Sequence, residues 1–429
     1  MATIGKNVRK RGLLLHNEGM RTQWDCHPLI RSYFGRQFKE TRTAQFQQAH
    51  LVLFEYYQKE PKKQQPDTLE ELEPLYRAVV HGCLAGEYFK ALDAVYRERI
   101  KRGEEYYSTQ KLGAYSQDLT ALAAFFPGGW SEPVQQDLSK ADQGWLLAAA
   151  SFCLMSLGRL SEAVEPRQAN LKIRLKTEAW KEATRAAQNL VDLLLPLGRL
   201  SEAATAAQHA IDYATRSKDL SEQKGNHAYF ATVCHWQGQL TQAAQSFVTA
   251  EQLQQQWQPE YPQLYSIWGF QYCALLLDQA TAQADIQQVV ARGEYSLKLM
   301  QQLENLLGIA LDQLTLARAY FKLEAYQQAA TYFDEAVAGI RKAGRINELP
   351  MFLIDRANFY LDQQQFDDAL RDLTEAWQII KRSDMKLYAV DYHLAMSRYA
   401  RVKQPEKVQF HENEAKKLIE ATGYHLRKV

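Results

Sequence analysis

Cysteine is scarce in this 429-residue chain, and what there is lies badly placed for shared chemistry. Cys26, Cys83, Cys153, Cys234 and Cys273 are an odd number, far apart, with no CxxC pair. That speaks against a disulfide framework or a zinc ribbon and fits isolated thiols in a reducing compartment. Proline is sparse, at 12 residues, and runs of β-branched residues are few, so the chain reads as all-α. No run of 18 apolar residues exists, which excludes a membrane span of ordinary type. Lys6, Arg9, Lys10 and Arg11 precede only Leu13 to Leu15, too short an apolar stretch for a signal peptide, and the expectation is a cytoplasmic protein. Charge of one sign is missing too. With 51 basic and 50 acidic residues the net charge is +1, so neither nucleic acid nor an acidic membrane surface is expected as a bulk partner. Catalytic and phosphate-binding motifs are also wanting. The ten histidines include no HExxH, and there is no GxxxxGK[ST]; Gly5-Lys6 alone cannot cradle a phosphate.

What the chain does have is self-similarity. Ser156-Leu-Gly-Arg-Leu-Ser-Glu-Ala163 recurs as Pro196-Leu-Gly-Arg-Leu-Ser-Glu-Ala203 and, more loosely, as Trp236-Gln-Gly-Gln-Leu-Thr-Gln-Ala243. The closing alanines are separated by 40 residues twice over, and the same step returns between Ala329 and Ala369. A fixed period of this size marks a solenoid, each unit burying its apolar face against its neighbours. Ala203, Ala207 and Ala210, like Ala243, Phe247 and Ala250, fall at steps of four and three, one stripe of a helix. Small residues there let two antiparallel helices approach, and the glycine permits a φ > 0 turn between them.

This pattern resembles the tetratricopeptide repeat: a turn glycine, an apolar residue, then Ala, a bulky residue and Ala. The resemblance implies a right-handed α-solenoid of helix hairpins, here with a step longer than the ~34 residues of the common form. Three segments follow. Residues 1–60 read as a small winged-helix-like remnant, residues 61–138 as a helical spacer, and residues 139–429 as the repeat domain. In the first, a short strand is expected over Gly12–His16 with a turn at Asn17–Gly19. One helix begins at Pro28, a residue suited to a first helical turn, and another runs from Thr43 to Lys59. Pro61 to Asp67 is a polar linker, and Thr68-Leu-Glu-Glu71 opens the next helix in capping-box fashion. Phe126-Pro-Gly-Gly129 breaks the spacer, and Ser139-Lys-Ala-Asp142 restarts the helical register. The charged stretch from Lys407 through Ala415 to Glu420 suits the outer face of a closing repeat.

Cys26-His27-Pro28-Leu29-Ile30-Arg31 resembles the His-containing motif at the end of the winged helix in STAND-type signalling ATPases, with Cys and Pro where that family has Met and Asp. There the histidine approaches the β-phosphate of ADP, and His27 is the matching position. The resemblance implies the C-terminal half of such a regulator, often in signalling or antiphage defence. On that reading no cofactor is bound by this chain alone, and an upstream or in-trans ATPase domain is an expected partner. The other reading is a free-standing scaffold or adaptor. An enzyme hidden in the 68–142 block lacks any supporting motif, a DNA-binding winged helix is disfavoured by the neutral charge balance and the incomplete recognition module, and the chain is read as non-enzymatic.

In tetratricopeptide arrays the first helix of each unit lines the concave face, which the resemblance makes the place for a protein or peptide ligand. The residues there not used for packing are Arg185, Asn189 and Asp192, then Tyr229, Thr232 and Trp236, then Arg318 and Lys322, then Asp355 and Asn358. Arg and Asn suit carbonyl or carboxylate capture, and aromatics dominate binding hot spots. Such a stripe is otherwise a solvated face. The aromatic run Trp257, Tyr261, Tyr265, Trp268, Phe270 and Tyr272 has two readings, a ligand platform or the core stripe of one helix. His227 and His235, eight apart on one helix face, lack the third ligand a metal needs.

Overall fold

Local signals set several helix ends. The computed structural model describes Leu15–His16, Trp24–Asp25 and residues 28–429, so His27 and the expected turn at 17–19 lie outside the described residues. Strands β1 (Leu15–His16) and β2 (Trp24–Asp25) pair antiparallel. Helix α1 (Pro28–Thr41) starts at its proline, and α2 spans Thr43–Lys59. At the head of α3 (Leu69–Ala85) the Thr68 hydroxyl accepts from Glu71 N–H at 3.2 Å, while the Glu71 carboxylate takes the Asp67 N–H at 2.8 Å. These contacts satisfy donors that a bare helix start leaves orphaned. The chain then runs through α4 (Tyr88–Lys90) into a wider π-helical stretch, Ala91–Lys101, followed by α5 (Tyr107–Gln110) and α6 (Tyr115–Ala123).

The chain divides into two compact units, residues 1–129 with 133–143, and residues 130–132 with 144–429. The first is pinned by a buried polar knot. The fully buried Asp118 accepts from the Tyr76 hydroxyl at 2.6 Å, the Ser108 hydroxyl at 2.9 Å and Lys101 Nζ at 3.1 Å. A buried carboxylate with three donors is a satisfied one, so the knot fixes geometry rather than offering a reactive acid.

From 140 onward the chain is a run of seven helix hairpins: α7 (Lys140–Ser156) with α8 (Leu160–Lys176), α9 (Trp180–Leu194) with α10 (Leu200–Ser217), and α11 (Leu220–Trp236) with α12 (Leu240–Trp257). Then come α13 (Ser266–Gln279) with α14 (Gln283–Gln302), α15 (Leu306–Lys322) with α16 (Tyr326–Lys342), α17 (Leu349–Asp362) with α18 (Phe366–Ser383), and α19 (Lys386–Lys403) with α20 (Val408–Thr422). From α9 onward the first helix of each hairpin packs on the first helix of the next, forming the inner wall. The repeat residues form the core as the period predicts. Ala203, Ala207 and Ala210, Ala243, Phe247 and Ala250, Ala329, Phe333 and Ala336, and Ala369, Leu373 and Ala376 are all buried.

Within this unit the superhelix closes on itself. Ser161 donates its hydroxyl to Asp384 at 3.1 Å, 223 residues away, and Asn347 reaches the Met155 carbonyl at 3.2 Å. Leu387 N–H donates to the Pro196 carbonyl, and Leu426 N–H to that of Trp236, each at 3.2 Å. The repeated turn glycines sit at these meetings. Gly198 has φ 71°, and a methyl group added to it would come 2.5 Å from Thr422 Cγ2. At Gly158, φ 76°, the obstacle is the Ser383 hydroxyl at 2.7 Å. The matching turns of later repeats hold Glu324 and Gln364 at φ 59° and 58°, both exposed. Left-handed backbone alone therefore does not demand glycine here; close approach of another helix does.

Candidate functional site

The inner wall carries the site. A cavity of about 270 Å³ opens on it, lined from α11 by His235 and Trp236, from α13 by Phe270 and Asp278, and from α15 by Arg318 and Lys322. Asp355 and Asn358 on α17, Tyr388 and Asp391 on α19, and Tyr424, Leu426 and Arg427 after α20 complete it. Of the residues expected to bind, Trp236, Arg318, Lys322, Asp355 and Asn358 thus meet in one place. Their helices lie side by side because the small-residue stripes pack the second helices behind them.

Ion pairs bind the wall together. Arg318 Nε donates to Asp355 Oδ2 at 2.7 Å, with its guanidinium 5.0 Å from the centre of the Phe270 ring. Burial raises the Asp355 carboxyl above its usual range, against the pull of Arg318. His235 Nε2 lies 2.9 Å from Asp278 Oδ2. Burial pushes Asp278 up, but the His235 hydrogen bond and the charges of His235, Arg427 and Arg318 bring it below the ordinary value. Asn358 accepts from Arg398 at 2.7 Å and donates to the Ile354 carbonyl, so its amide is largely engaged.

The other expected residues are spread along the wall. Arg185 is exposed and bonds Glu222 at 2.8 Å, and Asn189 is exposed beside it on α9. The Tyr229 hydroxyl donates to Asp192 at 2.8 Å. Asp192 is solvent-exposed, yet desolvation by the protein around it, opposed by the Tyr229 bond, raises its carboxyl to about 6. Thr232 does not reach the wall: it is buried, and its hydroxyl donates to the Ala228 carbonyl of its own helix.

The aromatic run resolves in a third way. Helix α13 begins only at Ser266, so Tyr261 and Tyr265 lie in the preceding loop and no single helical stripe exists. Trp257 and Trp268 instead flank the buried Lys224, their ring centres 4.1 and 4.3 Å from its Nζ, and Gln254 accepts from it at 2.9 Å. Burial lowers this amine to about 8. His227 and His235 diverge, toward Ser246 and Asp278 respectively, and among the described residues no cluster of three metal-binding side chains occurs. Sequence reasoning missed Asp278, Tyr388, Asp391 and the 424–427 segment. The first three sit on first helices and were within reach of the same stripe argument, whereas nothing in the repeat pattern signals the last.

These hairpins define the class: an all-α, tetratricopeptide-like solenoid. No helix among the described residues is long and apolar enough to cross a membrane. No family model and no curated protein matches the chain. Among solved structures, the chain is similar to a STAND protein with a tetratricopeptide repeat sensor from Pyrococcus horikoshii, at 12% identity and a TM-score of 0.40 over 98% of this chain. It spans 59% of that protein's length. It is also similar to a Rap protein complexed with competence and sporulation factor, at 10% identity and a TM-score of 0.41, covering 93% of this chain and 99% of that one.

Proposed function

We propose that this chain is a protein- or peptide-capturing module whose ligand lies on the inner wall of the superhelix. It acts by binding rather than by a reaction. One observation carries the reading: five successive first helices turn charged and aromatic side chains toward one cavity, where Trp236, Arg318, Asp355 and Asp391 stay only partly buried. Keeping Trp236, Arg318, Asp355 and Asp391 around a space that water can enter costs stability that apolar packing would otherwise supply. A wall of this composition suits recognition of an irregular peptide, with aromatic faces as anchors and charges for register.

The wider role is the sensing half of a STAND-type signalling regulator, with an ATPase domain supplied upstream or in trans. The Cys26–Arg31 motif, followed by the pair α1 and α2, supports this. Capture experiments in cell extract, comparing the unaltered chain with a Trp236→Ala, Arg318→Glu variant of equal helical content, test the wall assignment. Proteins enriched by the first and lost by the second are the expected result. Unchanged capture rejects it.

A further inference from the structure

The segment that follows α20 is seated in the channel as a ligand would be. Gly423 ends the helix at φ 73°, and the chain turns inward. Leu426 N–H donates to the Trp236 carbonyl at 3.2 Å, and the buried Tyr424 ring has its centre 6.1 Å from that of Trp236. Arg427 Nε donates to Asp391 Oδ1 at 2.7 Å, while the Tyr424 hydroxyl donates to Asp391 Oδ2 at 3.4 Å. A main-chain hydrogen bond, an aromatic anchor and a guanidinium–carboxylate pair are the means by which peptides are held. Here both parties belong to one chain.

Charge indicates what kind of occupant the pocket takes. Its lining offers three carboxylates, Asp278, Asp355 and Asp391, against Arg318 and Lys322. Asp355 is answered by Arg318 and Asp278 by His235, whereas Asp391 is answered by Arg427. Asp391 first, then Tyr424, hold the Arg427 guanidinium above its usual range, with Asp278 adding to the pull. Lifted out, the segment leaves Asp391 facing the cavity without its cation. That carboxylate is then open to another guanidinium able to donate to it in the same way.

We propose that the pocket around Asp391 is a binding site for a peptide bearing an arginine three residues after an aromatic one, and that residues 424–427 are its resident occupant, displaced when such a peptide binds. This rests on the concave-wall reading above and adds the chemistry of the ligand. The segment is suited to leaving. It forms one tight turn, Arg427 N–H to the Tyr424 carbonyl at 3.2 Å, and His425, Lys428 and Val429 are exposed. Its hold is a few side-chain contacts and one main-chain bond rather than membership of a packed helix, and such short terminal turns open more readily than helices do. While seated, a tethered occupant competes at an effective concentration on the order of millimolar, so a free peptide meets a mostly filled site.

The probe is a fluorescein-labelled peptide of sequence Gly-Tyr-His-Leu-Arg-Lys-Val, titrated by anisotropy against the full chain. The double variant Tyr424→Ala, Arg427→Ala is expected to bind it at least tenfold more tightly than the unaltered chain. Arg427→Gln, which keeps the Tyr424 packing, gives a smaller gain in the same direction. Adding Asp391→Asn to either background removes the gain, and so does replacing the peptide's arginine by glutamine. Equal affinity of opened and unaltered chains, at unchanged helical content, overturns the proposal and makes the segment a structural clasp. Equal binding of arginine and glutamine peptides overturns it as well. If the opened variant gains proteins in the capture experiment but not this peptide, the arginine pocket is wrong and the concave-wall reading survives.

Discussion

Closure of the superhelix makes a sharp prediction at its turn glycines. Gly198 and Gly344 both have positive φ, 71° and 69°, so an alanine at either is strained by the left-handed backbone, by about 1–2 kcal/mol. They differ in what a methyl group would meet. At Gly344 there is nothing within 4 Å, whereas at Gly198 Thr422 Cγ2 is 2.5 Å away and Lys386 Cβ 3.1 Å. Overpacking of that kind adds about 1–3 kcal/mol. Gly198→Ala is therefore expected to cost roughly twice as much as Gly344→Ala. Thr422→Ser removes the nearest atom and should return part of the excess at 198 and none at 344, a coupling that a double-mutant cycle isolates. Urea titration gives the totals. Because stacked hairpins need not unfold together, hydrogen exchange over 382–387 and 420–426 is the more direct readout. Gly198→Ala should lose protection there, and Gly344→Ala should not. Equal cost at the two glycines, with no coupling to Thr422, would falsify the closure.

Three further outcomes follow from buried groups. Burial raises the Asp312 carboxyl to about 8, and it accepts from the Ser296 hydroxyl at 2.8 Å. The folded chain then binds a proton there that the unfolded chain has lost above about pH 4. Stability at this site is intact below pH 4 and falls as pH rises toward 8, so Asp312→Asn should be the more stable form at pH 9, by a few kcal/mol at roughly 1.4 per pH unit. Melting curves that stay parallel across that range contradict this. Lys224 works in the opposite sense: lowered to about 8, it burdens the fold with a buried charge below that pH, and stability should rise between about 8 and 10.5. Lys224→Met should abolish that rise; a rise that persists assigns it elsewhere. His393 and His411 have Nδ1 atoms 3.0 Å apart, and His393 is lowered to about 4 by burial first and by His411 second. Stability from this pair is present above about 6.5 and lost as pH falls toward 4. His411→Gln should move the His393 midpoint upward in an NMR titration, and a fixed midpoint rejects the coupling.

How much of this was legible beforehand differs by kind of interaction. The helix starts at Thr68 and Ser139 rest on contacts within a few residues, and the chain alone encodes those. The stripe from Ala243 through Phe247 to Ala250 is legible for a similar reason, since each unit buries the same face against its neighbour. The inner-wall choice of Trp236, Arg318, Lys322, Asp355 and Asn358 combined that periodicity with the tetratricopeptide resemblance, which alone implied that first helices face inward. Thr232 shows its limit, because a hydroxyl on that face can satisfy itself on its own helix. The aromatic run misled through spacing: Tyr261 and Tyr265 keep a helical step while lying in a loop.

The sequence by itself determined the element type and the 40-residue hairpin, both consequences of short-range periodicity, while which helix of each pair faces inward came only as what the tetratricopeptide resemblance implies. Tertiary structure alone decided where the superhelix returns on itself, why glycine stands at 158 and 198 but not at 324 and 364, and that 424–427 fills the channel. Those facts depend on pairs such as Ser161 with Asp384, 223 residues apart. The small rotation between one hairpin and the next, summed over many repeats, sets such pairs, and no local pattern of residues records that sum.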